Sequence, residues 1–232
     1  QPKDAAARDR QADLDHKIAM LDRYGAPHPQ PGATHYFGKI GRHTLKWEQH
    51  TEFVTYTAFS EGLGSRAFDP HDFEVFPEDW LAMAPGNRIT SALIRVDNRP
   101  SANEIETLVS DWFVPESLAC SHVLDNTAPI AGDFRIDPAG HLRFAVFVAD
   151  DTGARRVGRI VQRLCEIETY KSFSMLGLAR VREMGKRLNE MDAELTDLVG
   201  NMTGNGALAE DTLISLLGIS AERENIMAQT SF

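Results

Sequence analysis

The sequence predicts an α+β fold: a mixed or mainly antiparallel sheet with flanking helices, followed by a long antiparallel helical hairpin. Three observations predict it. Between Thr34 and Ala149, short runs rich in β-branched and aromatic residues alternate with Gly, Pro and Asp turns. From Gly153 onward that signal stops and apolar residues recur at three- and four-residue spacing. The change falls near Asp151 and divides the chain into an α+β part with an N-terminal helix, residues 1–151, and a helical, coiled-coil-like extension, residues 152–232.

Ala5 to Tyr24 reads as a helix whose apolar stripe is Leu14, Ile18 and Leu21. Gly25 ends it, and Pro27, Pro29 and Pro31 make a stiff, extended connector. The polar remainder of the helix places it on a surface or against a part of the protein not present. Thr34 to Ser60 carries Tyr36, Phe37, Leu45, Trp47, Phe53, Tyr56 and Phe59 among Thr and Val, interrupted by Gly38 and Gly41. A hairpin and a third strand are expected there. Glu61 to Pro77 is a loop that Phe68, Phe73, Val75 and Phe76 tack onto the core.

Glu78 to Met83 is a short helix with acids in its first turn, and Arg88 to Val96 is a strand. Ser101 and Glu104 have the spacing of a capping box for a helix reaching Phe113. Leu118 to Leu124, Ile130 to Ile136 and Leu142 to Ala149 follow as strands, the last two joined by the turn residues Asp137-Pro138-Ala139-Gly140. This order suits a single sheet with helices on one side.

In the helical part, Val157, Ile160, Leu164 and Ile167 form the kind of seam that packs against another helix. Met184, Leu188, Met191, Leu195 and Leu198 repeat it. The two seams are out of phase across Tyr170 to Ala179, so a bend or fuller burial is expected near Gly177 and Gly185. Gly200 to Gly206 breaks the helix, and Asp211 to Ala228 resumes it to close an antiparallel hairpin.

A net charge of −10, with Lys and Arg interleaved among acids, leaves no electrostatic footprint for nucleic acid. Cys120 and Cys165 are each flanked by apolar residues and read as two reduced, buried thiols in a reducing compartment. No apolar run approaches the roughly 18 residues that span a bilayer, and Gln1 opens a polar stretch without a secretory signal. Gly62-Leu63-Gly64 lacks the Gly-Lys-Ser/Thr of a phosphate loop, and no Gly-x-Ser-x-Gly occurs. The eight histidines show no zinc-ligand spacing. A familiar hydrolase or nucleotide-binding enzyme is not expected, and no cofactor is implied.

One polar run stands out: Leu45-Lys46-Trp47-Glu48-Gln49-His50-Thr51-Glu52-Phe53. If it is extended throughout, Lys46, Glu48, His50 and Glu52 share one face, with Leu45, Trp47 and Phe53 partly opposite. Lys46, Trp47, Glu48, His50 and Glu52 are therefore candidate binding residues. Glu48, His50 and Glu52 are candidate ligands for a divalent metal, or a proton-transfer set. The simpler account is a solvated strand face whose opposite charges pair across the sheet. A turn between Glu48 and Glu52 would break the shared face.

The same run, continued through Val54-Thr55-Tyr56-Thr57, resembles the signature of an uncharacterised bacterial family described as predicted membrane-anchored proteins. Arg163-Leu164-Cys165-Glu166-Ile167-Glu168-Thr169-Tyr170 resembles that family's second hallmark. The resemblance implies a soluble part of a longer protein, joined to a membrane through segments absent from this chain; the missing secretory signal and the low cysteine count favour the cytoplasmic face of the inner membrane. It carries no activity. The reading this supports is a non-enzymatic domain acting through helix-mediated self-association, as a homo-oligomer, or through a protein partner. One rival is the cytoplasmic domain of a transporter or channel accessory that senses a ligand or metal, by analogy with CorA-type magnesium channels. Another is a metal-dependent enzyme built on Glu48, His50 and Glu52.

Overall fold

The computed structural model describes residues 9–123, 128–202 and 209–230. The chain divides into two compact units, Gln1–Thr169 and Tyr170–Phe232. The fold is α+β.

The first unit begins with helix α1 (Arg10–Arg23). Asp9 caps it by accepting from the Gln11 and Ala12 N–H groups, filling two of the donors a helix start leaves open. Residues 5–8 of the expected helix lie outside the described residues. Three strands follow, β1 (His35–Ile40), β2 (His43–Gln49) and β3 (Val54–Phe59), in an antiparallel sheet with β2 central. Gly41, at φ +56, allows the tight turn between β1 and β2. Opposed residues point to the same face. Tyr36, Trp47 and Tyr56 form one row across the sheet, and Gly38, Leu45 and Ala58 the next. That face is covered by Met20 and Leu21 of α1, by Val75 and Phe76 of a 3-10 turn (Pro70–Val75) and its exit, and by Trp80 of α2 (Glu78–Ala82). Each such large apolar side chain taken out of water contributes about 1.5–3 kcal/mol.

The second sheet holds β4 (Ala92–Asn98), β5 (Ala119–Val123), β6 (Ala128–Gly132) and β7 (Leu142–Val148) in the order β4-β7-β6-β5. β4 runs parallel to β7 and the other pairs are antiparallel, so this sheet is mixed. β7 is apolar on both faces because both are covered. Ala145 and Phe147 meet Val109 and Phe113 at helix α3 (Ala102–Trp112). Val146 and Val148 meet Ile160, with Val157 and Leu164 packed alongside, at the start of α4 (Ala154–Met202).

The expected single sheet is thus two sheets, and the second has helices on both sides rather than one. The loop before α2 ties onto both cores: Phe68 packs on Trp112 and Phe113, while Phe73 and Phe76 pack on the first sheet. The capping box at Ser101 and Glu104 is present. So is the turn at Asp137, whose Oδ1 accepts from the Ala139 and His141 N–H groups.

Other expectations shift. The seam from Val157 to Leu164 packs on a sheet, not on a helix, and Ile167 is exposed. β4 starts later than Arg88 and β6 ends earlier than Ile136, where Asp133 turns the chain and Phe134 takes a φ of +53. Leu124 and the residues to 127 lie outside the described residues. Cys120 is exposed because β5 is an edge strand, and Cys165 is half-buried; both thiols are free.

In the second unit α4 continues unbroken to Met202, and α5 spans Ala209–Thr230. Gly200, where the break was expected to begin, is still helical, and residues 203–208 lie outside the described residues. Arg187 pairs with Glu222, so α5 folds back along α4 as an antiparallel hairpin. Fuller burial does not occur where the seams change phase. Tyr170, Met175, Leu176 and Leu178 are exposed there.

Candidate functional site

Strand β2 sorts the polar run into three environments. Lys46 and Glu48, two residues apart, point to the same face, and Lys46 Nζ lies 2.8 Å from Glu48 Oε2. Both are half-buried. Trp47 points the other way and is fully buried. The strand then stops at Gln49, and His50 and Glu52 fall in the turn before β3. The His50 N–H donates to the Phe53 carbonyl at 2.9 Å, and its ring stacks on Phe53 at 4.3 Å. The turn breaks the shared face, because alternation requires extended backbone. Among the described residues no group of three or more His, Cys, Asp or Glu is placed to hold a metal ion.

Behind Trp47 lies a buried polar cluster that periodicity alone did not single out. Asp13, His16 and Lys17 of α1 are all less than a tenth exposed, although the apolar stripe chosen from the sequence was Leu14, Ile18 and Leu21. Lys17 Nζ stands 3.9 Å from the Trp47 ring centre, a cation–π contact, and burial lowers its pKa. His16 sits between two hydrogen-bonding partners. Its Nδ1 is 3.2 Å from the Tyr56 hydroxyl and its Nε2 2.9 Å from the Trp80 carbonyl. Trp80 Nε1–H donates back to the His16 carbonyl at 2.9 Å, and the two rings stack. Burial lowers the His16 pKa and pushes the Tyr56 hydroxyl well above its usual range. The available signal was the spacing of Asp13, His16, Lys17 and Met20, which places four residues on one helical face.

On the opposite face of β2, Lys46 and Glu48 lie near enough to α4 for their charges to act on Cys165. Burial raises the Cys165 thiol pKa first; the Lys46 and Glu48 charges also act on it, in opposite directions. The neighbouring Glu166 accepts from Gln162 at 2.8 Å and Arg163 at 2.9 Å, and these bonds hold its carboxyl below the usual range. Lys46 favours the same ionised form. Glu168, one turn of α4 after Leu164, is buried.

A profile described as a protein of unknown function, DUF3422, matches residues 4–232. The chain belongs to that family. The DUF3422 match spans both units, and Lys46, Glu48, Cys165 and Glu166 all fall within it. No curated protein and no solved structure matches the chain. Among the described residues, no helix of this DUF3422 member is long and apolar enough to cross a membrane.

Proposed function

We propose that this chain is the non-catalytic part of a membrane-anchored protein at the cytoplasmic face of the inner membrane. It acts through its helices, by self-association or by binding a protein partner. The observation that carries this reading is the surface of the second unit. Val181, Leu188, Leu213 and Leu217 are 64%, 47%, 57% and 61% exposed, on a hairpin whose apolar residues follow a packing period. Large contiguous apolar surface on a lone chain marks an interaction site, since water-exposed Leu and Val gain most by being covered. The polar strand segment offers less. Its Lys46 and Glu48 neutralise each other, and His50 and Glu52 lie beyond the strand's end. Free thiols at Cys120 and Cys165 suit a reducing compartment.

Photocrosslinking in cells tests it. A benzophenone side chain replacing Leu188 or Leu217 in the full-length protein is expected to trap adducts above monomer mass from the membrane fraction. The same group at His50 serves as the control. Absence of any such adduct from both helical positions would sink the reading.

A further inference from the structure

Resting on that reading, we infer that the partner is a second copy of this chain, docked antiparallel along α4 with the two-fold axis near Leu188. Leu178, Val181, Leu188, Leu195 and Val199 are separated by 3, 7, 7 and 4 residues and so lie in one stripe at a 3.5-residue period. All of them are exposed. A parallel column, Met184, Met191 and Leu198, is instead half-buried or buried, so the chain covers one column and leaves its neighbour open.

The charges beside the open stripe say what covers it. Between Tyr170 and Leu188 the helix carries Lys171, Arg180, Arg182, Lys186 and Arg187, against Glu183. After it come Glu190, Asp192, Glu194 and Asp197, with no Lys or Arg before Gly200. Arg187 is engaged within the chain by Glu190 and Glu222. Among the described residues no ion pair engages Arg182, Lys186, Asp192, Glu194 or Asp197, and all five are exposed. A parallel copy would set basic half against basic half and acidic half against acidic half. An antiparallel copy sets each basic half against an acidic one. A two-fold interface requires this self-complementarity, because the same patch serves both copies. An anionic membrane surface would attract one half of the stripe and repel the other.

The test uses the whole chain in a Cys120→Ser, Cys165→Ser background. Light scattering should give a mass near twice 25.8 kDa, falling toward the monomer on Leu188→Glu and at high salt. Arg182→Glu with Lys186→Glu should weaken the dimer at least tenfold, and adding Glu194→Lys and Asp197→Lys should restore it. Circular dichroism confirms that each variant keeps its helices. Orientation is read from a spin label at Ser174, 14 residues from Leu188. At 1.5 Å rise per residue the two labels stand about 40 Å apart in the antiparallel dimer, against about 10–20 Å in a parallel one. A strict monomer, or a dimer with the short distance, overturns the inference. A dimer lost on Leu188→Glu but showing the short distance leaves the helix-mediated reading standing. A dimer indifferent to Leu188→Glu argues against both.

Discussion

Gly38 shows how closely a single residue is fixed by its neighbour. Tyr36 folds its ring across Gly38, so that a Cβ built there would lie 2.5 Å from the tyrosine hydroxyl and 2.8 Å from Cζ. Tyr36 is itself buried in the first core and has nowhere to retreat. Gly38→Ala is expected to cost about 1–3 kcal/mol, the usual price of overpacking, measured as a lowered urea midpoint. Adding Tyr36→Leu should recover part of that loss, and simple additivity of the two changes would refute the explanation. At this scale the sequence was informative where backbone alternation held. Lys46, Trp47 and Glu48 sit on the faces their parity assigns. His50 and Glu52 do not, because the turn after Gln49 ends the alternation, and turn position depends on pairing with β3. His16 and Lys17 were illegible as core residues. The facing Trp47, Tyr56 and Trp80 give them partners that make burial tolerable.

At the scale of elements, one buried carboxylate decides where β6 ends. Asp133 accepts from the Val114 N–H at 3.1 Å, the Arg135 N–H at 3.2 Å and Arg143 Nη2 at 2.8 Å. It thereby pins the α3 exit, its own turn and the start of β7 together. Asp133→Ala strands two backbone donors and a guanidinium and is expected to cost about 2–4 kcal/mol in chemical unfolding. Asp133→Asn keeps an acceptor and should cost less; equal losses would mean that a neutral acceptor recovers nothing and that the charge carries the whole effect. The same apolar run, Ile130 to Ile136, looked like one strand because sequence periodicity cannot register a side chain that caps distant amides. The start of α4 makes a similar point. Its 3-4 spacing correctly marks a helix with an apolar face, but a helix covering a sheet and a helix covering a helix share that spacing.

For the molecule as a whole, three buried histidines set the response to mild acid. His16, His43 and His141 are each less than a tenth exposed, and burial is the largest cause holding each pKa below the ordinary 6.5. Above pH about 6.5 they are neutral whether the chain is folded or not and add no pH dependence. Below it the unfolded chain takes up protons that the folded chain resists, so stability falls as pH falls toward the lowered folded values. Exposed His71, whose pKa Asp69 raises, works weakly in the opposite direction. Thermal unfolding of the chain is therefore expected to shift downward between pH 7 and pH 5.5, before most carboxylates titrate. His16→Gln should flatten part of that slope. An unchanged slope in that variant would show that His16 does not contribute.

Local chemistry in the sequence was enough to determine the class of nearly every element: the capped α3, the turn at Asp137, the alternating first strands and the helical second half. These features depend on neighbours within a few residues, and the chain carries that information by itself. The tertiary structure alone decided that the strands form two sheets, that a polar face of α1 is the buried one, and that Lys46 and Glu48 lie near Cys165 and Glu166. It alone also showed which apolar column of α4 is covered and which is open. Burial is a relation between segments far apart in the chain, and a helical period records only that some face is apolar, not what comes to lie against it.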